Sequence, residues 1–204
     1  MPRTLITRRW EQLAKAARRA STQPSVQDLI AVLGSDRLGN EEVAKLARPD
    51  DSKPYGRHVL FANDVLEGMV AQWTPGIPCA PHDHGGSHGA VRVISGEAIH
   101  TVWAVEEGQL VAMETTRHYA GDILPAPPHM IHSMEDGGAE IPLVTLHLYT
   151  DAIDHMVVYD LEAHDTCVVD GSCGAWIPTD RTDGLLARHY GITDPSHLPP
   201  PEQG

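Results

Sequence analysis

The sequence predicts a mainly β protein, a jelly roll behind a helical lead-in, on three observations. From about residue 55 onward, short apolar runs recur between Gly, Pro and Asp punctuation, the pattern of an all-β sandwich or barrel. Before Pro49 the apolar residues recur at helical spacing instead. The chain has 204 residues, 41% of them hydrophobic and 21% charged, which suits one domain with a sizeable core.

Leu5, Trp10, Leu13 and Ala17 outline a first helix, with Arg, Lys and Glu between them. Ser25-Val26-Gln27-Asp28 has the N-cap character of a second helix, which Gly34 ends. Glu41 to Leu46 reads as a short third helix stopped by Pro49. Strands are expected at Val59–Phe61, Gly68–Trp73, Ala90–Ile94, Ile99–Trp103, Leu110–Met113, Leu143–Tyr149 and Met156–Tyr159. The expected division is a helical segment over 1–50 packed on a β domain over 51–194, then a tail over 195–204 that is rich in Pro and polar residues. No internal repeat or interdomain linker is visible.

Composition narrows the function. A net charge of -13 argues against nucleic acid or an anionic membrane as partner. No apolar run approaches the roughly 20 residues that span a bilayer, and no apolar stretch follows Arg3, Arg8 and Arg9 to make a signal peptide. Cys79, Cys167 and Cys173 are too few for a disulfide framework. Cys167 and Cys173 could close a small loop, but free thiols in a reducing cytosol are the simpler reading, and a cytoplasmic location is expected.

The chemistry concentrates in two clusters. His82 and His84 are two residues apart, so on a strand both face one side and can reach one metal ion. With 13 histidines in the chain, one such pair is expected by chance. A third imidazole, His132, from a neighbouring strand would complete a facial set and leave positions open for substrate and oxygen. Asp83 then faces away as a structural carboxylate, and His88 and His129 flank the site out of register. Trp73, Trp103 and Trp176 read as packing residues, and Glu106-Glu107 and Glu135-Asp136 as solvated loop charge.

The two clusters resemble the paired motifs of the cupin superfamily. The first is Gly76, five residues, His82-Asp83-His84, then Gly96; the second is Gly121, five residues, Pro127, then His132 and Asp136. His129 stands where the motif usually has glycine, and Asp136 falls on a motif position from which it can brace its loop. Most metal cupins carry a glutamate ligand five residues after the second histidine, where this chain has Gly89. Three neutral histidines suit a divalent first-row metal. They keep the metal's full charge for an anionic ligand such as a thiolate.

With Tyr55-Gly56-Arg57-His58, His82 to His88 and Leu146-His147-Leu148-Tyr149, the chain resembles cysteine dioxygenase and its bacterial thiol-dioxygenase relatives. The resemblance implies a cupin barrel in which His82, His84 and His132 hold Fe(II) and O2 is the second substrate. It implies that Arg57 clamps a substrate carboxylate, that Tyr55 lines the pocket, and that Thr145, His147 and Tyr149 form a relay. The alternation 145, 147, 149 supports the relay, since the three share one strand face. Glycine at 89 implies no cysteine–tyrosine thioether, and Thr145 stands where serine is usual. The expected substrate is L-cysteine, oxidised to cysteine sulfinic acid, and the family habit implies a monomer. The alternatives are 3-mercaptopropionate or another small thiol acid as substrate, and a non-catalytic metal-binding cupin. No acidic residue near the pocket is assignable from sequence to a substrate amine.

Overall fold

The computed structural model describes residues 5–34, 40–150, 153–171, 173–178 and 184–198. Three helices lead: α1 (Leu5–Ala20), α2 (Val26–Gly34) and α3 (Asn40–Ala44). Ser25 and Asp28 close a reciprocal cap on α2: Asp28 N donates to Ser25 Oγ at 3.2 Å, and Ser25 N to Asp28 Oδ2 at 2.8 Å. The Ser25 hydroxyl, which donates to Asp28 Oδ2 at 2.7 Å, and then the Ser25 N–H hold the Asp28 carboxyl below its usual range. The third helix ends two residues earlier than the apolar pattern suggests, at Ala44.

Eleven strands follow: β1 (Tyr55–Ala62), β2 (Leu66–Trp73), β3 (Gly89–Ser95), β4 (Glu97–Glu106), β5 (Gln109–Tyr119), β6 (Ile123–Ala126), β7 (Ile131–Asp136), β8 (Val144–Thr150), β9 (His155–Asp160), β10 (Asp165–Asp170) and β11 (Leu185–Tyr190). The first sheet has the order β1-β2-β8-β3-β6; two three-stranded sheets have the orders β5-β4-β7 and β11-β10-β9. The segment around His82 joins those two into one. His82 bridges to His132 of β7 on one side and to Val158 of β9 on the other. The chain therefore passes back and forth between two large antiparallel sheets, the winding of a jelly roll.

Four strands lie outside the seven apolar runs. β6 is four residues long and contains Pro125, β7 carries His132, Ser133, Glu135 and Asp136, β10 begins and ends on aspartate, and β11 is largely exposed. Glu135 and Asp136 thus sit on a strand, not a loop. Asp136 is buried and accepts from Gly138 N at 2.8 Å and Leu143 N at 3.0 Å, bracing the turn beyond. Glu106 ends β4, and Glu107 follows in the turn with φ +50°.

The core has two layers that meet at β8, whose seven residues are all buried. Its Val144, Leu146 and Leu148 face the helices, packing with Trp10, Leu29, Leu33, Leu66, Val70 and Ile94. Thr145, His147 and Tyr149 face the barrel interior instead. Fully buried Trp10 lies flat on β2, where a Cβ at Gly68 would stand 2.0 Å from its ring. At roughly 25 cal/mol per Å² of apolar surface, a covered indole is among the larger single contributions to docking the helices. Cys79, Cys167 and Cys173 are buried, and none is in a disulfide. In the tail, Asp194 caps a 3₁₀ turn at Pro195–His197; residues 199–204 lie outside the described residues. Among the described residues no helix is long and apolar enough to cross a membrane.

Candidate metal centre

His82, His84 and His132 converge inside the barrel, each buried, with one ligand atom apiece within 4.8 Å of the others. The backbone sets this geometry. His82 N donates to His132 O and His132 N to His82 O, both at 2.9 Å, a closed antiparallel pair that puts both side chains on one face. Neither histidine of the pair lies on a named strand: His82 makes only isolated β-bridges, and the chain turns at Gly85-Gly86 straight after His84. Asp83 faces away, as alternation requires, and its carboxylate accepts from Gly85 N and Val157 N.

The ring nitrogens are already sorted. His82 Nδ1 lies 2.9 Å from Ala80 O, and His132 Nδ1 lies 2.8 Å from His100 Nε2. Bonds at Nδ1 leave Nε2 of each ring turned inward. His132 Nε2 stands 3.3 Å from His84 Nε2. Burial pulls the pKa of all three below the ordinary imidazole value, and neighbouring imidazoles push His84 and His132 further down. Three neutral, converging nitrogen donors fit a divalent transition metal.

The facing sheet supplies a chain of hydrogen bonds. Trp73 Nε1 lies 2.8 Å from Thr145 Oγ1, Thr145 Oγ1 lies 2.7 Å from His147 Nε2, and His147 Nδ1 lies 2.9 Å from Tyr149 Oη. An indole N–H only donates, so Thr145 accepts from Trp73 and donates its own hydrogen to His147 Nε2. His147 Nδ1–H then donates to Tyr149 Oη, and the Tyr149 hydrogen is left for the cavity. The reverse sense would strand the Thr145 hydrogen in a fully buried position. Burial takes His147 down to about 3, so it works as a neutral ring, and burial raises Tyr149, so its hydroxyl stays protonated. The Tyr149 ring lies 4.8 Å from that of His84.

Gly89 has a steric reason. A Cβ there would stand 2.3 Å from Tyr149 Cδ1 and 2.9 Å from Leu148 O, so any side chain there requires the tyrosine ring and the adjoining strand to shift.

Arg57 and Tyr55 line the same cavity as the histidines and Tyr149. Tyr55 Oη accepts from Ala175 N at 3.0 Å. Arg57 Nη2 is ion-paired with Glu67, and its Nε donates to Met69 Sδ at 3.1 Å. His88 lies off the centre and donates from Nε2 to Pro24 O at 2.7 Å, tying the helical segment to the barrel. His129 is exposed and has φ +61°, the left-handed backbone that explains glycine's usual place there.

Over residues 2–162 the chain matches the family model described as cysteine dioxygenase type I. It belongs to that family. As a cysteine dioxygenase family member it is a thiol dioxygenase of the cupin type, and His82, His84 and His132 are its candidate metal site. Among solved structures it is similar to a conserved protein with a double-stranded β-helix domain from Klebsiella pneumoniae, at 23% identity and TM-score 0.47 over 62% of this chain and 99% of that one. It is also similar to KdgF from Halomonas sp., at 20% identity and TM-score 0.41 over 50% and 84% of the two chains. An oxalate decarboxylase mutant from Bacillus subtilis aligns at 27% identity and TM-score 0.41, over 51% of this chain and only 28% of the decarboxylase.

Three residues in or behind the cavity wall escape the sequence reading. Trp73 was expected to pack, and does so against Tyr55 at 4.8 Å, but it also heads the hydrogen-bond chain. His100 holds a metal-ligand candidate from another strand, and burial takes it to about 4. Glu67 shares a β2 face with Met69 and Trp73, a spacing visible once the strand is begun at Leu66 rather than Gly68.

Proposed function

We propose that the protein oxidises L-cysteine with O2 to cysteine sulfinic acid, using Fe(II) held by His82, His84 and His132. The observation that carries this reading is the Tyr149 hydroxyl, hydrogen-bonded from behind and facing the three-histidine centre from the opposite sheet. Metal storage needs no oriented hydroxyl, which counts against a non-catalytic module. Iron would supply oxygen binding and activation; both oxygen atoms end on the substrate sulfur.

The remaining work is done by side chains of this chain. Arg57 receives the carboxylate on the guanidinium edge left by Met69 and Glu67, a planar fork better matched to that task than lysine. Tyr55 bounds the pocket. His147, neutral in its buried position, holds Tyr149 Oη from Nδ1 and so fixes where the phenolic hydrogen points. Tyr149 then offers that hydrogen to negative charge developing at the reacting centre. The gain is chiefly one of orientation, with the thiol fixed at sulfur and carboxylate beside a preset donor. Three buried cysteines outside any disulfide support a reducing, cytoplasmic setting, and the net charge of -13 supports small-molecule rather than nucleic-acid or membrane partners.

The test is anaerobic loading with Fe(II), addition of L-cysteine, then oxygen admission with uptake and sulfinate both measured. Cysteine-dependent uptake with one sulfinate formed per O2 is expected. Absence of thiol-dependent uptake would leave only a metal-binding module, and preferential use of 3-mercaptopropionate would move the substrate.

A further inference from the structure

We propose that Glu67 makes this pocket select thiols that carry an amino group beside the carboxylate. The inference rests on the thiol dioxygenase reading and deepens it. Glu67 is 8% exposed and lines the cavity with Arg57, Tyr149 and the histidine centre. Its place is fixed by register: Glu67 of β2 stands directly opposite Tyr149 of β8, where cross-strand Cβ atoms lie about 5 Å apart. It shares its face of β2 with Met69, whose sulfur takes the Arg57 Nε hydrogen.

Arg57 and Glu67 are the charged side chains lining the cavity among the described residues. They are paired with each other, so the protein's own wall is close to neutral where an anionic substrate must bind. A thiolate that also carries a carboxylate, and nothing else, meets a guanidinium already shared with Glu67 and a second carboxylate beside it. Removed from water, that repulsion is large. An α-amino acid thiol differs in one respect. Its amino group and carboxylate stand on the same carbon, so an amino N–H, whether or not the nitrogen also binds the metal, can face the acid of the Arg57–Glu67 pair while the carboxylate faces the guanidinium. The carboxylate then meets Arg57 while the amino group donates to Glu67. The buried acid acts against the deaminated analogue as much as for the amino acid, and both contributions widen the difference on which specificity depends.

A purely structural role, in which Glu67 only tethers Arg57, predicts something else, because both carboxylate-bearing thiols would then suffer equally from its loss. The deciding pair is L-cysteine and 3-mercaptopropionate, which differ by the amino group alone. Anaerobic calorimetric binding and oxygen-uptake kcat/KM are measured for each on the Fe(II)-loaded parent and on Glu67→Gln, which keeps length and an acceptor oxygen but not charge. The cysteine preference is expected to shrink about tenfold or more, with cysteine losing and 3-mercaptopropionate gaining. An equal fall for both thiols, or an unchanged ratio, overturns the proposal. A mutation-free arm uses the parent with unreactive analogues: L-serine should compete with thiol binding better than 3-hydroxypropionate, and the opposite order also overturns it. Binding selectivity is read without turnover, so a parent that binds cysteine selectively yet consumes no oxygen would sink the dioxygenase reading and leave this one standing.

Discussion

The two sheets that enclose the cavity are built on different principles. The sheet carrying β7 and β9 presents His82, His84 and His132, uncharged, with His82 and His132 locked to each other by reciprocal backbone hydrogen bonds. The sheet carrying β1, β2 and β8 presents an ion pair, Arg57 with Glu67, and a four-member side-chain chain from Trp73 to Tyr149. One wall is placed by main chain, the other by side-chain networks. Damage to the first should therefore be close to all-or-none, while damage to the second should be graded and separable into binding and turnover.

The largest expected effect is at the histidine wall. His132→Ala should leave less than a tenth of the parent's iron after dialysis, by atomic absorption, and thiol-dependent oxygen uptake at background; a variant that keeps its iron would break the contrast. Next comes Tyr149→Phe, expected to lower kcat about 100-fold, or to uncouple oxygen use from sulfinate formation, with iron content and KM little changed. Arg57→Ala should raise KM for cysteine by about 10- to 100-fold with a smaller change in kcat. If Tyr149→Phe and Arg57→Ala both matched the parent, the opposite wall would have no part in the chemistry.

The smallest effect is on stability and comes from both walls. Burial holds His82, His84, His100, His132 and His147 below their ordinary value of 6.5, His100 to about 4 and His147 to about 3. The unfolded chain takes up protons at these rings that the folded one refuses. Their contribution is thus complete above about pH 6.5 and drains away as pH falls toward the folded values. Calorimetry of metal-free protein should show the melting temperature falling from pH 7 to 5; a flat profile would contradict the burial of these rings as neutral groups.

The His82–His84 pair and the shared face of 145, 147 and 149 were legible as short-range spacings, while the relay itself was read from the family resemblance with that alternation in support. What escaped depends on register between strands. Trp73 reaches Thr145 across 72 residues of sequence, and His100 reaches His132 across 32. No local spacing announces either pairing. Glu67 sits among apolar residues of β2 and gains meaning only opposite Tyr149. The fold was legible where strands are apolar, as in β8, and obscure where charged residues carry them, as in β7.

Gly89 also constrains the evolutionary routes open to this barrel. A glutamate ligand at that position is the commoner arrangement among metal cupins, yet here the first carbon of any side chain would collide with the tyrosine ring. A lone substitution would displace Tyr149 before it could donate an oxygen to the metal. Conversion to a four-ligand site therefore requires at least two coordinated changes, and each alone passes through a damaged intermediate. The tyrosine proposed to serve this reaction also bars the chain from drifting by single steps toward another.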